Sequence, residues 1–216
     1  FFYGKNYYIC TMNEYLNTLD QYTVNGHLFK QVHRNMPLSI WNYTPEVQYG
    51  QLWDKVTLQC RGLVTDNNGD VVAYPFKKFF NIEENKHTPT QNFEVYEKMD
   101  GSLGILFFYE GKWVVATRGS FTSPQSVKAR ELLDTKYNLE SIPKGYTTLF
   151  EIIYPENRVV VDYGDEEKLV VLGMTNRFNG KELDYESLVN MHSESGIPVV
   201  KRYDGIKDYS TLKGMI

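Results

Sequence analysis

Hydrophobic positions near the start of the chain recur at a helical spacing. Tyr15, Leu16, Leu19 and Tyr22 fall within three or four residues of one another in the segment 11–35. Positions at this spacing share one side of a helix. The sequence therefore predicts a short helix in this segment.

Short apolar runs separated by turn residues predict β-hairpins in the middle of the chain. Runs at 56–64 and 71–76 flank the sequence Asp-Asn-Asn-Gly-Asp at 66–70, which is typical of a hairpin turn. A second pair of runs, at 103–109 and 113–117, flanks Glu-Gly-Lys. We therefore expect two antiparallel pairs of strands.

The second half of the chain combines further strands with helices. Strands are predicted at 148–154, 158–163 and 169–174. Helices are predicted at 124–137, with Val127, Leu132 and Leu133 on one side, and at 184–194, capped by Asp184 and ended by Gly196 and Pro198. Hairpins joined by occasional helices predict an α+β fold with antiparallel sheets, not a doubly wound parallel one.

Composition narrows the class of protein. The chain has 216 residues, 42% of them hydrophobic and 15% aromatic, enough for one sizeable core. Its net charge of −4 argues against broad electrostatic binding to a polyanion, so positive charge for nucleic acid must be concentrated locally. No apolar run is long enough to cross a bilayer, and no membrane partner is expected.

Cysteine and histidine spacing does not match a metal site. Cys10 and Cys60 lie far apart, so neither a metal site nor a disulfide framework is predicted. Unpaired cysteines favour a reducing compartment, and we predict the cytoplasm, or the host cytoplasm for a viral protein. Four histidines are expected on the surface or in loops: His27, His33, His87 and His192.

The segment 96–103, Tyr-Glu-Lys-Met-Asp-Gly-Ser-Leu, carries the strongest candidate chemistry. In an extended stretch Lys98 and Asp100 project to the same face, and Gly101 lets the backbone approach a ligand closely. A lysine in such a place is a candidate nucleophile if its amine loses a proton, which neighbouring cations and desolvation both favour. The alternative is a solvated lysine in a turn.

Several other segments place charges within or beside apolar strands, where an isolated charge is costly. They are Cys60-Arg61-Gly62 at the end of a predicted strand, Phe76-Lys77-Lys78-Phe79-Phe80-Asn81, Thr117-Arg118-Gly119-Ser120, and the run from Phe150-Glu151 to Asn157-Arg158. If these charges converge on one cleft, they suit a triphosphate with a metal ion.

Each of these residues also has a plainer interpretation. Arg61 and Arg158 could be ordinary ion-pair residues, and Glu151 could be the buried partner of either one. The Asn157-Arg158 pair could simply close a turn. Aromatic side chains such as Phe79, Phe80 and Tyr154 are more often core residues than stacking platforms.

The order of these motifs resembles the T-even-phage type of ATP-dependent RNA ligase, a branch of the covalent nucleotidyltransferase superfamily. The resemblance rests on Cys-Arg-Gly, Lys-Phe-Phe-Asn, Lys-x-Asp-Gly-Ser-Leu, Arg-Gly-Ser, Phe-Glu and Pro-Glu-Asn-Arg, within residues 42–163. It implies an ATP-grasp-like nucleotidyltransferase core of antiparallel sheets flanked by helices.

The resemblance also implies roles for individual residues. Lys98 would attack the α-phosphate of ATP and hold AMP covalently. Arg61 would contact the nucleotide near its ribose and phosphates, Lys78 would bind phosphates, and Lys77 is the less favoured neighbour for that task. Arg118 matches the basic residue that follows the nucleophile in the family.

Three acidic residues complete the expected site. Glu151 matches the acidic residue near the ribose or the metal-bound water. Asp100 would orient the surroundings of the nucleophile or the hydrated metal, and Glu97 is placed in the nucleotide site. The expected cofactors are ATP and Mg²⁺, and the expected partners are RNA 5′-phosphate and 3′-hydroxyl ends, such as those of nicked tRNA, in RNA repair.

Two later elements of the family are not found after residue 163: an acidic Glu-Gly-hydrophobic-Val strand and a Lys-x-Lys strand. Asp204-Gly205-Ile206 is a poor match, and Lys207 and Lys213 lie in sequence without a clear pattern. We therefore expect residues 1–216 to be an adenylyltransferase domain that stops before these strands, without the family's C-terminal RNA-specificity domain.

Other functions stay open at this point. Within the superfamily the alternatives are a DNA ligase and a GTP-using capping enzyme. A non-catalytic nucleotide- or RNA-binding module would bind ATP without a covalent adduct. A globular domain with an accidental lysine motif would bind no nucleotide.

Overall fold

The computed structural model describes residues 4–81, 84, 93–206, 208, 211–212 and 214, and for residues 4–13 it describes the backbone alone. Helices in this part of the chain are α1 (Gly4–Val24), α2 (Pro45–Gly50), α3 (Lys55–Gln59), α4 (Pro124–Lys136) and α5 (Tyr185–His192). Strands are β1 (Leu28–Val32), β2 (Leu38–Tyr43), β3 (Arg61–Asp66), β4 (Val71–Ala73), β5 (Val95–Tyr96), β6 (Ser102–Tyr109), β7 (Lys112–Thr117), β8 (Tyr146–Ile153), β9 (Lys168–Asn176) and β10 (Arg202–Tyr203). Short 3-10 turns occur at Leu139–Ser141 and Pro155–Asn157.

The strands form two four-stranded sheets in which every neighbouring pair is antiparallel. Sheet I has the order β1-β2-β3-β4, and sheet II has the order β7-β6-β8-β9. A separate two-stranded ribbon pairs β5 with β10. The predicted α+β fold with antiparallel sheets is therefore confirmed.

The two sheets pack face to face and carry helices on their outer faces. Ile40 of β2 packs against sheet II, whereas the next residue, Trp41, packs with Leu19 of α1. In the same way Ile105 of β6 faces sheet I, and Leu106 packs among residues of α4 and α5. Because side chains alternate along a strand, each central strand contributes to two hydrophobic layers.

Several predicted elements form close to their expected positions. Both hairpins are confirmed as β3–β4 and β6–β7, and the helices at 124–137 and 184–194 correspond to α4 and α5. In the first hairpin the Asp66 carboxylate accepts hydrogen bonds from the amides of Asn68 and Asp70 at 2.8 and 2.9 Å. The predicted N-terminal helix is confirmed as α1, which begins earlier than its apolar residues indicated.

The apolar run 56–64 is not one strand, and that prediction was wrong in its first half. Residues 55–59 form α3, because Asp54 caps the helix by accepting the amides of Val56 and Thr57 while the Thr57 hydroxyl accepts the Asp54 amide. Arg61 accordingly begins β3 and does not end a strand.

Two predictions for the second half of the chain were also wrong. Residues 158–163 form no strand. Two of their backbone amides, those of Val160 and Val161, donate instead to the Asp100 carboxylate. Val127 lies on the solvent side of α4 with 61% of its surface exposed, whereas Leu132 and Leu133 are buried. No helix in the described ranges is both long enough and apolar enough to cross a membrane.

One histidine is buried, contrary to the expected surface or loop position. His192, at the end of α5, is 3% exposed, and its Nδ1 lies 3.1 Å from the Ser195 hydroxyl. The same hydroxyl lies 2.9 Å from the His192 carbonyl oxygen, to which it donates a hydrogen bond. The Nε2 of His192 is buried and has no hydrogen-bond partner among the described residues. Two other histidines, His27 and His33, are partly buried, and His87 lies outside the described residues.

We expect acid to destabilise the fold through His192. Burial lowers the pKa of this ring to about 4, so the unfolded chain binds a proton below its ordinary pKa near 6.5 that the folded chain does not. This contribution to stability is complete above pH 7 and is lost as the pH falls, by about 2 kcal/mol at pH 5.

Denaturant unfolding at pH 7.5 and pH 5 measures this contribution. A His192→Gln variant removes the titrating ring, so its stability should change less between the two pH values than that of the unaltered protein. An equal change in both proteins would contradict the assignment.

Candidate active site

All eight residues singled out from the sequence line one cleft of about 1160 Å³. They are Arg61, Lys77, Lys78, Glu97, Lys98, Asp100, Arg118 and Glu151. Their positions in the chain span 91 residues, from 61 to 151, so the fold and not the local sequence brings them together. The cleft lies beside sheet II, between the start of β3, residues 76–79 and the segment that joins β5 to β6.

Lys98 lies in the short connection between β5 and β6, with its side chain exposed to the cleft. Asp100, two residues later, is fixed by the segment that was expected to be a strand. Its Oδ2 accepts the amides of Val160 and Val161, each at 2.7 Å, and its own amide donates to the Tyr163 hydroxyl at 3.1 Å. The two amides hold the pKa of the Asp100 carboxyl below its usual range.

The glycine after Asp100 is required by close packing. A Cβ on Gly101 would lie 2.5 Å from the Ile152 carbonyl oxygen, which is closer than non-bonded atoms approach. The next residue, Ser102, donates its hydroxyl to Asn157 at 3.0 Å, and Asn157 is buried and donates to the same Ile152 carbonyl at 2.9 Å. The Asn157 of the Pro-Glu-Asn-Arg motif thus ties the lysine segment to β8. Its neighbour Arg158 is exposed and pairs with Asp162 at 2.6 Å, as the plainer interpretation expected.

Glu151 projects from β8 into the cleft opposite the lysine segment. Its backbone is paired with Leu103 of β6, and its carboxyl accepts the Gly101 amide. Burial raises the pKa of Glu151 to about 7, and the nearby Asp100 charge adds to the rise, while the Gly101 amide, Arg61 and Lys98 oppose it. This carboxyl therefore changes charge near neutral pH, which is unusual for glutamate.

Arg61 opens β3 with its guanidinium half-buried at the cleft. The Cζ atom lies 4.9 Å from the centre of the Phe79 ring, and Nη1 is buried without a hydrogen-bond partner among the described residues. Burial lowers the pKa of Arg61 from its ordinary value. A buried donor normally has a partner, so this one is available to a ligand oxygen in the cleft.

Two other cations of the cleft, Lys78 and Arg118, lie against aromatic rings. Lys78 Nζ donates to the Phe79 carbonyl at 2.7 Å and lies 4.4 Å from the centre of the Phe80 ring. Arg118 lies 5.5 Å from the ring of Tyr43 and 3.4 Å from its hydroxyl. Lys77 is exposed at the cleft and makes no ion pair with another described residue. The cleft therefore contains five cations together with four carboxylates, those of Glu97, Asp100, Glu151 and Glu182.

The fold also supplies a support for Lys98 that the sequence did not indicate. The ribbon β5–β10 lies immediately before the lysine, and the Glu97 amide donates to the Lys201 carbonyl at 2.9 Å. Arg202 of β10 contacts three carboxylates, those of Glu94 at 3.1 Å, Glu186 at 2.7 Å and Asp204 at 3.3 Å. Residues 94 and 202 are too far apart in sequence for a local pattern to predict their contact.

The sequence favoured core positions for both Phe79 and Phe80. Phe79 is 62% exposed, so it is not a core residue, whereas Phe80 is half-buried against Trp53 with ring centres 5.5 Å apart. Lys207 and Lys213 lie outside the described residues. Among the described residues no group of three or more His, Cys, Asp or Glu side chains is arranged to hold a metal ion.

We expect replacement of Asp100 by alanine to free the valine segment. Without the carboxylate, the amides of Val160 and Val161 lose their acceptor, and their hydrogen exchange should accelerate at least tenfold. Hydrogen–deuterium exchange of a peptide that spans residues 158–163 measures the change. The control is Asp162→Ala, which removes a carboxylate from the same segment but leaves both Asp100 contacts in place. Unchanged protection in the Asp100 variant would contradict the clamp.

Comparison with known proteins finds sequences that are similar to this chain. The sequence model of a family described as RNA ligase matches residues 59–216. A protein of Thermovibrio ammonificans named as a candidate RNA ligase is 33% identical over 55% of this chain and 34% of its own length. The RNA ligase of Rhodothermus phage RM378 is 26% identical over 71% of this chain and 46% of its own length. The chain thus spans less than half the length of these curated relatives.

Solved structures share the fold at lower sequence identity. A candidate ATP-dependent DNA ligase from Aquifex aeolicus matches 92% of this chain and 54% of its own, with a TM-score of 0.61 and 15% identity. An archaeal ATP-dependent RNA ligase matches 87% of this chain and 49% of its own, with a TM-score of 0.56 and 17% identity. At such identities these likenesses show the ligase fold and not the activity.

Proposed function

Because this chain belongs to the RNA ligase family of the T-even-phage type, we propose that it carries the adenylylation site of an ATP-dependent RNA ligase. The observation that supports this most is the cleft itself. Of the residues predicted from the sequence, Lys98, four further cations and three carboxylates from separate segments line one cleft beside sheet II. In this proposal the ATP-grasp-like core binds its nucleotide in that cleft.

Lys98 is the proposed nucleophile. Its Nζ, as a neutral amine, attacks the α-phosphate of ATP, a nitrogen–phosphorus bond forms, the bond to the pyrophosphate oxygen breaks, and the amine proton passes to solvent. Arg61, Lys78 and Arg118 share the negative charge that develops on the phosphates. Phosphoryl transfer depends mainly on such positioning and charge stabilisation.

The residues present fit a hydrated Mg²⁺ ion. This ion prefers one or two carboxylates together with waters and substrate phosphates. The cleft would supply the carboxylates of Glu151 and Asp100. When bound, Mg²⁺ neutralises phosphate charge. Oδ2 of Asp100 already accepts two backbone amides, so we assign the main ion-facing role to Glu151 and a positioning role to Asp100.

The complete reaction extends beyond this step. AMP passes from Lys98 to the 5′-phosphate of an RNA, and a 3′-hydroxyl then attacks that phosphate and releases AMP. Repair of broken RNA, including nicked tRNA, is the proposed role, and a cytoplasmic site of action belongs to the same proposal.

Intact-protein mass spectrometry tests the proposal. After incubation with ATP and Mg²⁺ the protein should gain the mass of one AMP. Pyrophosphate should remove the gain, and a 5′-phosphorylated RNA should remove it while acquiring AMP itself. In a parallel incubation, a gain of GMP from GTP without a gain of AMP from ATP would indicate a capping-type enzyme. Transfer of AMP to a 5′-phosphorylated DNA and not to the RNA would indicate a DNA ligase.

A non-catalytic binding module is the second candidate. It would bind ATP without a mass gain. If a longer protein with the acidic and Lys-x-Lys strands also failed to form the adduct, the ligase proposal would be wrong.

A further inference from the structure

The Phe79 ring is presented to solvent at the cleft. It lines the cleft while 62% of its surface is exposed. A single exposed aromatic side chain is common on a protein surface, but this one lines a concave site next to Arg61 and Lys78, where a ligand can reach it. The open face of Phe79 is therefore available to a base that arrives from solution.

The Phe79 ring is also in contact with a cation. Arg61 covers one face with its guanidinium, 4.9 Å from the ring centre, and the backbone carbonyl of Phe79 accepts the Lys78 ammonium at 2.7 Å. The ring therefore has one face covered by a cation, while 62% of the Phe79 surface stays exposed to a ligand.

The charges around Phe79 suit a nucleic-acid backbone. Arg61 and Lys78 lie beside Phe79, and Lys77 and Arg118 line the same cleft. The cleft also contains four carboxylates, those of Glu97, Asp100, Glu151 and Glu182. Cations that follow a backbone, with an aromatic ring on which a base stacks, are the combination found in proteins that bind single strands.

From this arrangement we propose that Phe79 is a stacking platform for the terminal nucleobase of the RNA whose 5′-phosphate enters the cleft. The inference rests on the proposed function, because it needs an RNA end at Lys98. It assigns the exposed ring to RNA and not to the adenine of ATP.

Base stacking can be observed directly with a fluorescent RNA. A short single-stranded RNA carries a 5′-phosphate and 2-aminopurine as its first base, and it is mixed with the protein in the absence of ATP. We expect severalfold quenching with the unaltered protein, loss of most of it with Phe79→Ala, and retention with Phe79→Trp. The RNA Kd of Phe79→Ala should rise about tenfold, as expected for one lost base–aromatic stack.

The chain supplies a matched control. Phe178 is 79% exposed and lies 5.4 Å from the Arg177 guanidinium, but neither residue lines the cleft. Phe178→Ala should therefore leave both the quenching and the RNA Kd unchanged. Equal quenching with Phe79→Ala and the unaltered protein would overturn the proposal, and so would equal losses in the Phe79 and Phe178 variants.

Measurements of adduct formation separate this inference from the function on which it rests. If the KM for ATP rises more in Phe79→Ala than the RNA Kd does, the ring serves adenine and the inference is wrong. If the unaltered protein forms the AMP adduct but Phe79→Ala keeps full quenching, the inference fails while the ligase function stands. If neither these proteins nor a longer protein with the acidic and Lys-x-Lys strands forms the adduct, the ligase function fails, whatever the fluorescence shows.

Discussion

Replacement of Lys98 by alanine is expected to abolish the AMP adduct completely. The cleft holds other cations, but Lys98 lies between β5 and β6 with Asp100 and Glu151 at its sides. Loss of a nucleophile removes the covalent step itself and not only part of the binding energy. Lys98→Arg should fail in the same way, because guanidinium stays protonated.

Two other lysines make this test specific. Lys77→Ala should form the adduct more slowly but to the same final mass, because a phosphate-binding cation changes the rate and not the site of attachment. Lys112, at the start of β7 and away from the cleft, is the matched control whose alanine variant should behave like the unaltered protein. An adduct on the Lys98→Ala protein, located by peptide mapping, would assign the nucleophile elsewhere.

Replacement of Glu151 by glutamine is expected to slow adduct formation about a hundredfold and to change its pH dependence. The pKa of Glu151 near 7 means that its carboxyl is neutral below that pH and ionised above it. If the ionised form holds the hydrated ion, kcat/KM for ATP should rise as the pH increases through about 7, because this parameter reports the free enzyme. The glutamine variant should lack that inflection.

The pH profile distinguishes an electrostatic role from a structural one. Glu156 is an exposed carboxylate on the turn after β8 and does not line the cleft, so Glu156→Gln should keep both the rate and the inflection. A Glu151→Gln protein that is slow but still shows the inflection would assign the titration to another group. Burial also makes the ionised form of Glu151 costly to the fold. The contribution of Glu151 to the free energy of unfolding therefore decreases as the pH rises from about 4.5 to 7, whereas the contribution of His192 increases as the pH rises.

The elements that the sequence predicted well are those specified by local chemistry. In the turn at 66–70, the Asp66 carboxylate accepts a hydrogen bond from the Asn68 amide. Asp184 is the N-cap of α5, and its carboxylate accepts the Ser187 amide at 2.8 Å. The run at 56–64 was misassigned although its signal was also local. Asp54 followed by Thr57 is a capping box, and the apolar residues after it were given more weight.

Other features depended on contacts that no local pattern contains. Residues 158–163 have an apolar, strand-like sequence, but Asp100 binds two of their amides from 60 positions away. The contact between Phe79 and Arg61 of β3 joins residues 18 positions apart, which no local pattern predicts. The motifs indicated which side chains belong to the site, and the packing of the two sheets decided how they meet.

The ribbon β5–β10 has a consequence for the order in which the protein assembles. Contacts between residues distant in sequence form late, because a long loop must close before they contribute stability. Lys98 follows directly on a strand whose partner begins at Arg202, more than 100 residues later. During synthesis the ribosome must release residues 201–203 before the lysine segment acquires its neighbour. A nascent chain that already contains both hairpins is therefore still without a finished site.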